Sequence, residues 1–404
     1  MRENNQKFFR PYLIKSSYAI VMLLLMLTSC QKHSEHNSGG NPSYDANLEP
    51  SGQTLSTTLD SSTSNISDFL TYYHNKNTNT EYLISVNSFM NEIQGYDLKN
   101  GAKSMHITID RNGAKGIGLF SAVHIENMDS LIVFPTQEEK IYLMDSAYQN
   151  FKNINYTAPT GYTNARPGNV FFTSNTYLED GMLYVKTLFQ TNFRTVSNEQ
   201  LSKVHLGYAI DLRNGATMPM SHDYPDNYFE VGMKHYDFSA SFSPNGFVYS
   251  FFGDHHLYVS KSANEKLKAI DGKSKYLKEE LPLFPTAGDR SDRAKYASIM
   301  DHYGNLMYDP YREVYYRFCY PFVEINDMQE VMDNLHNPVT FSIQVFDKTF
   351  NIIGETLFEK NQKYLPKNIF VGKKGLYIST KHSKNQQAKE DEFTFELLQL
   401  SDVS

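Results

Sequence analysis

Asp254-His255-His256 places a carboxylate and two imidazoles, the donor types a divalent metal takes, within three residues. In a strand or tight loop His255 and His256 point to opposite sides, so at most one can share an ion with Asp254. Solvated loop residues are the plainer reading, and no metal or other cofactor is assigned. His222-Asp223 and His235-Tyr236 are further polar pairs carried on loops, and His302 falls near a strand that can line a pore. Arginines mark the long loops of an otherwise acidic chain: Arg166 follows Tyr162, Arg194 follows Phe193, and Arg290 and Arg293 flank Ser291-Asp292. Gathered over a pore they would form a positive mouth that grips a carboxylate or phosphate bidentately. Tyr and Phe beside them could stack on a sugar or peptide ring. The competing role for each arginine is to pair with an acid such as Asp289 or Asp292 and hold its own loop. The candidate ligand contacts are therefore Tyr162, Arg166, Arg194, His235, Tyr236, Arg290 and Arg293. Gly-x-Ser-x-Gly, His-Glu-x-x-His, P-loop and Gly-x-Gly-x-x-Gly motifs are all missing, so no catalytic residue is assigned.

The elements that must position these residues are strands. Asp97-Leu98-Lys99-Asn100-Gly101-Ala102 returns as Asp211-Leu212-Arg213-Asn214-Gly215-Ala216, each time after a run of strand formers. Asn-Gly between apolar runs is a strong hairpin signal, because that turn needs positive φ. Looser copies at 144–147 and 346–349 extend the pattern, and a hairpin recurring at such long intervals indicates a radial β array. The strands fall into groups of four, the clearest beginning near 118, 170, 238 and 299, with incomplete groups at both ends. The last group stops one strand short, and the alternating stretch at 55–59 can supply the missing edge. An all-β, six-bladed β-propeller of four-stranded antiparallel blades follows, its last blade closed by an N-terminal strand. The alternative is seven blades, with a degenerate blade at 273–295.

Turns between first and second and between third and fourth strands lie on one face of such a ring, and here they are uniformly tight. The other face receives every long insertion: 157–169, 190–203, 221–237, 271–298, 321–339 and 381–392. Long loops on one face of a rigid ring are where function is usually carried. In one of them Met328, Val331, Met332 and Leu335 recur at helical spacing, with Asn326 or Asp327 as a cap and Pro338 beyond the end, which predicts a short helix lying over the ring.

The N-terminus carries an address. Arg2, Lys7, Arg10 and Lys15 against Glu3 precede an apolar run of about ten residues, too short to span a bilayer roughly 30 Å thick. Residues 1–29 read as a signal peptide, and residues 30–52, rich in Ser, Asn, Gly and His, as a flexible tether ahead of the propeller at 53–404. Setting aside the +3 of the leader, the formal net charge of −7 becomes −10, which leaves no electrostatic footprint for nucleic acid. Aromatics make up 14% of the chain, with 29 Tyr, 27 Phe and no Trp, ample material for half-buried strands. Cys319 sits within a strand pattern and reads as a small buried hydrophobe.

Leu27-Thr28-Ser29-Cys30 resembles the lipobox of bacterial lipoproteins, which implies lipidation of Cys30 and, with Gln31 next, an outer-membrane location, facing the periplasm or the cell surface. Together with the tether, the repeated Asp-Leu-x-Asn-Gly-Ala and Tyr308–Arg317, the chain resembles the β-propeller lipoproteins of gut-type Gram-negative bacteria that carry a domain-of-unknown-function label, TolB-like or NHL-like in shape. That family brings no assigned catalytic residues. The expected function is a membrane-anchored binding or scaffold module, using the long-loop face for a peptide, a glycan fragment or an envelope partner protein. The alternative is a propeller enzyme with metal-dependent lactonase- or lyase-like chemistry at the pore, and an enzyme is the less favoured of the two.

Overall fold

The computed structural model describes residues 43–401 except 68, 169, 170, 193, 194 and 227; Cys30, its leader and Arg194 lie outside them. The strands assemble as six four-stranded antiparallel sheets, five of them in simple sequence order. Their first strands, which surround the axis, are Leu70–Asn75, Phe120–Asn127, Tyr177–Glu179, Phe238–Ser243, His302–Asp309 and Leu365–Gly372. In the sixth sheet Leu48–Thr58 pairs antiparallel with Glu392–Leu400 as the outermost strand, so the ring closes through the N-terminal strand. That strand begins at Leu48, not near 55, so the propeller reaches back before residue 53 into the stretch read as tether. Residues 273–295 hold no strand and end in a helix, which leaves six blades.

Blades pack face to face, so inner strands are buried on both sides and read as unbroken apolar runs rather than alternating ones. Leu131, Ile132, Val133 and Phe134 are all at most 2% exposed. The repeated Asp phrase makes the outer turn and the seam between blades. In its second copy Asp211 Oδ1 accepts from the Arg213 N–H, the Asp211 carbonyl from the Gly215 N–H, and Asn214 Oδ1 from the Ala216 N–H. The first copy repeats all three bonds. Gly101 and Gly215 have φ of +72° and +77°, and a Cβ on either would strike a carbonyl of the preceding blade's outermost strand, at Ser56 and Asn155 respectively.

Blade three departs from the pattern. A strand over 170–177 is expected, yet the strand is only Tyr177–Glu179. Residues 173–176 form a strap that bonds sideways instead. Ser174 bridges Ala240 in parallel, and Asn175 exchanges two hydrogen bonds with Phe242. Thr173 Oγ1 donates to the Leu306 carbonyl at 2.6 Å and accepts from the Leu306 N–H at 2.9 Å. The strap separates two axial cavities, one on each face; the one on the tight-turn face measures about 590 Å³.

Two helices stand on the long-loop face. Arg290–Ser298 opens on a capping box, Asp289 with Asp292, and Met328–His336 is capped by Asp327. They are joined by Ser298 Oγ donating to the Val331 carbonyl at 2.6 Å and Asn334 Nδ2 donating to the Ser298 carbonyl at 2.7 Å. The buried face of the second helix is therefore Val331 and Asn334, while Met332 of the expected apolar stripe is exposed, because the neighbour is a polar helix edge. The described chain ends meet on the tight-turn face: Ala46 bridges Gly354, and Ser401 and Asn47 exchange hydrogen bonds.

Candidate functional site

On the long-loop side of the strap, a cavity of about 360 Å³ lies over the axis. Its side wall is a row of aromatic rings. Tyr236 stacks on His235 at 5.2 Å, His235 on Phe252 at 5.1 Å, Phe252 on His302 at 4.4 Å and His302 on Tyr320 at 4.7 Å. Phe172 stacks on His235 as well, at 5.3 Å. His235 lies three residues ahead of the axial strand of blade four, and Phe252 follows that blade's second strand. His302 starts the axial strand of blade five, opposite Tyr320 in the same hairpin. Asn334, Leu335 and His336 of the second helix complete the lining, so the helix acts as a wall of the cup.

The hydrogen bonds fix both histidine tautomers. The Asp237 N–H donates to His235 Nδ1 at 3.1 Å, which leaves the proton of His235 on Nε2. His302 Nδ1 meets the Met300 carbonyl at 2.7 Å and must donate, which leaves Nε2 with a lone pair. Burial pushes the His235 pKa down and that of His302 to about 4, so both rings are neutral at pH 7. The cup also has a carboxylate. Asp237 Oδ1 accepts from Lys186 Nζ at 2.5 Å and from the Phe238 N–H at 2.8 Å. Burial of Lys186 lowers its pKa while Asp237 opposes the shift, and its ammonium also lies over the Phe238 ring at 4.6 Å. A second cavity, of about 400 Å³, shares His235 with the first and is lined by Thr191, Asn192, Met233, Lys234, Tyr236 and Phe284.

The residues singled out in the sequence divide. His235 and Tyr236 line these cavities. Tyr162 packs on Phe189 and accepts from the His205 N–H through its hydroxyl, a loop-holding role. Arg166 bonds the Lys186 carbonyl through its backbone N–H. Arg194 lies outside the described residues. Arg290 is exposed on its helix, and Arg293 turns back to the Gly288 carbonyl at 2.7 Å. Neither Arg166, Arg290 nor Arg293 lines the two cavities, so these arginines are not gathered into a mouth. Asp254-His255-His256 is dispersed too. His256 pairs with Asp254, His255 with the Tyr303 hydroxyl, and the backbone carbonyls of all three accept from the fully buried Arg317 guanidinium. Loop-borne His222 is fully buried between Tyr249 and the Ser262 carbonyl, while Asp223 pairs with His205.

Phe172, Asp237, Phe252 and Tyr320 were not singled out. The hairpin turn at Asp309 pairs with Val314, and counting back sets His302 against residue 321; a register shift between Tyr303 and Leu306 moves its partner to Tyr320. No local pattern announces that shift.

No curated protein matches the sequence. Among solved structures, a member of the DUF4221 family from Bacteroides vulgatus ATCC 8482 superposes with a TM-score of 0.76 at 23% identity, covering 89% of this chain and 99% of that one. A protein from Bacteroides fragilis NCTC 9343 reaches 0.50 at 11% identity, over 90% of this chain and 98% of its own. The calcium-binding protein regucalcin from Agrobacterium tumefaciens stands at 0.41 and 11%, covering 85% of this chain and 93% of its own. The model of the domain of unknown function DUF4221 matches residues 45–357, from the bridge that seats the closing strand to the outer strand of blade five. The chain belongs to the DUF4221 family.

Proposed function

We propose that this protein is an outer-membrane lipoprotein, anchored through Cys30, whose propeller binds a ligand in the cup on its long-loop face. The stacked wall running from Tyr236 to Tyr320 carries the reading. Five aromatic rings held in register beside an open cavity offer a large, rigid contact surface at little entropic cost. The cavity falls at the lower end of the 300–1,000 Å³ typical of small-ligand sites, and its lining mixes apolar rings with a few convergent polar groups. The anchor rests on the lipobox-like Leu27-Thr28-Ser29-Cys30.

Thermal shift against a library of small soluble compounds tests the cup, since a ligand that binds only the folded state raises the midpoint. Phe252→Leu removes a ring from the wall while keeping much of its volume. The expected result is a set of compounds that stabilise the natural protein and not this variant; compounds that stabilise both equally would place binding elsewhere. For the anchor, metabolic labelling with a fatty-acid analogue is expected to mark the natural chain and to be lost in Cys30→Ser. Labelling that survives the substitution contradicts it.

A further inference from the structure

We infer that the ligand of this cup is an uncharged, polyhydroxylated ring, a sugar residue within a neutral glycan at least two residues long. The inference rests on the proposed binding role of the cup and deepens it. Beside the rings stand two acceptors and one donor, with Ser298, Asn334, His336 and Lys367 elsewhere on the lining. Asp237 takes both of its protein hydrogen bonds on Oδ1, with no donor to Oδ2 among the described residues, and it lines the cavity. His302 offers the Nε2 lone pair, while His235 offers an Nε2 proton. Two acceptors and a donor beside a row of ring edges suit a compact group that carries several hydroxyls around its rim. A bare aromatic or aliphatic side chain would displace water from these three polar groups and leave them unpaired, which is costly.

Charge excludes the other candidates. An aromatic wall with a carboxylate would also suit an ammonium or guanidinium, but Asp237 already faces Lys186 at 2.5 Å, and Lys367 stands at the rim over Phe171 at 5.7 Å. The site therefore has no net negative charge to hold a cation. An anion would meet Lys367 at the rim, but deeper in the cup Lys186 is committed to Asp237 and the Phe238 carbonyl, and the acceptors Asp237 and His302 repel it. The second cavity supplies the length. It begins where the first ends, at His235, and Tyr236 carries the stack into it, so one ring in each cavity places two linked units side by side.

The test screens the lipidated full-length protein in detergent against a glycan array with neutral and acidic members and against a peptide array, each with the natural chain, His302→Phe and Phe252→Leu. His302→Phe keeps a ring in the stack and deletes only the Nε2 acceptor and the bond to Met300. The expected result is binding to neutral di- or longer saccharides, weakened about tenfold by His302→Phe, the scale of one good hydrogen bond. Neutral glycans bound equally well by His302→Phe would overturn the assignment. Peptide or acidic-glycan hits that depend on Phe252, with no neutral glycan among them, would overturn the sugar while leaving the cup as a binding site. An absence of any hit sensitive to Phe252→Leu would end both.

Discussion

His302 and His222 both have pKa values pushed down to about 4 by burial, against roughly 6.5 in an unfolded chain. Between these values the unfolded state binds more protons, so the stability present above pH 6.5 is lost as the pH falls toward 4. Each histidine accounts for about 3 kcal/mol of that loss. His205 and His256 act in the opposite sense, raised by Asp223 and Asp254, but they are only part-buried. The urea midpoint is expected to drop from pH 7 to pH 5, and His302→Phe to flatten the slope; a midpoint independent of pH would contradict the burial of these rings as neutral species. The Lys186–Asp237 pair gives a second, asymmetric prediction. Asp237→Leu strands a fully buried ammonium and should cost about 3–5 kcal/mol. Lys186→Met leaves a carboxylate that reaches the cavity, and urea unfolding should show a smaller loss. Residue types in the loops flagged His235 and Tyr236, but nothing local could say that Phe252 and Tyr320 share their line, because stacking partners far along the chain, such as His302 for Phe252, set it.

The short phrases were legible because their geometry is local. Asp-Leu-x-Asn-Gly-Ala specifies its own turn through side-chain caps and a positive φ, and both copies keep the same bonds. Its glycine has a further duty that the sequence did not reveal, since the carbonyl it faces belongs to another blade. Gly215→Ala should therefore destabilise by about 1–3 kcal/mol and loosen the seam between blades two and three, read as faster hydrogen exchange at Phe151–Asn155. Unchanged exchange there would confine the glycine to its own turn. The strap at 173–176 was misread as a strand because its residues fit either role. What decides between them is Leu306 and Ala240, more than 60 residues downstream.

At the level of the whole ring, closure depends on Leu48–Thr58. Deleting residues 43–58 uncovers Glu392–Leu400, whose Phe393, Phe395, Leu397 and Leu398 are at most 1% exposed in the closed ring. An unpaired edge of that kind invites pairing with another chain. The truncated protein is expected to elute as oligomers on size exclusion, and a monomer with a sharp unfolding transition would show that the ring tolerates an open seam. The pairing of Asn47 with Ser401 has a different consequence. Both described ends of the chain leave on the side away from the cup, so a fastening at either end aims the same opening outward. The propeller is then a dish held from its back, its mouth turned away from whatever holds it. Beads coupled through residue 43 or through residue 401 should then capture equal amounts of any cup ligand.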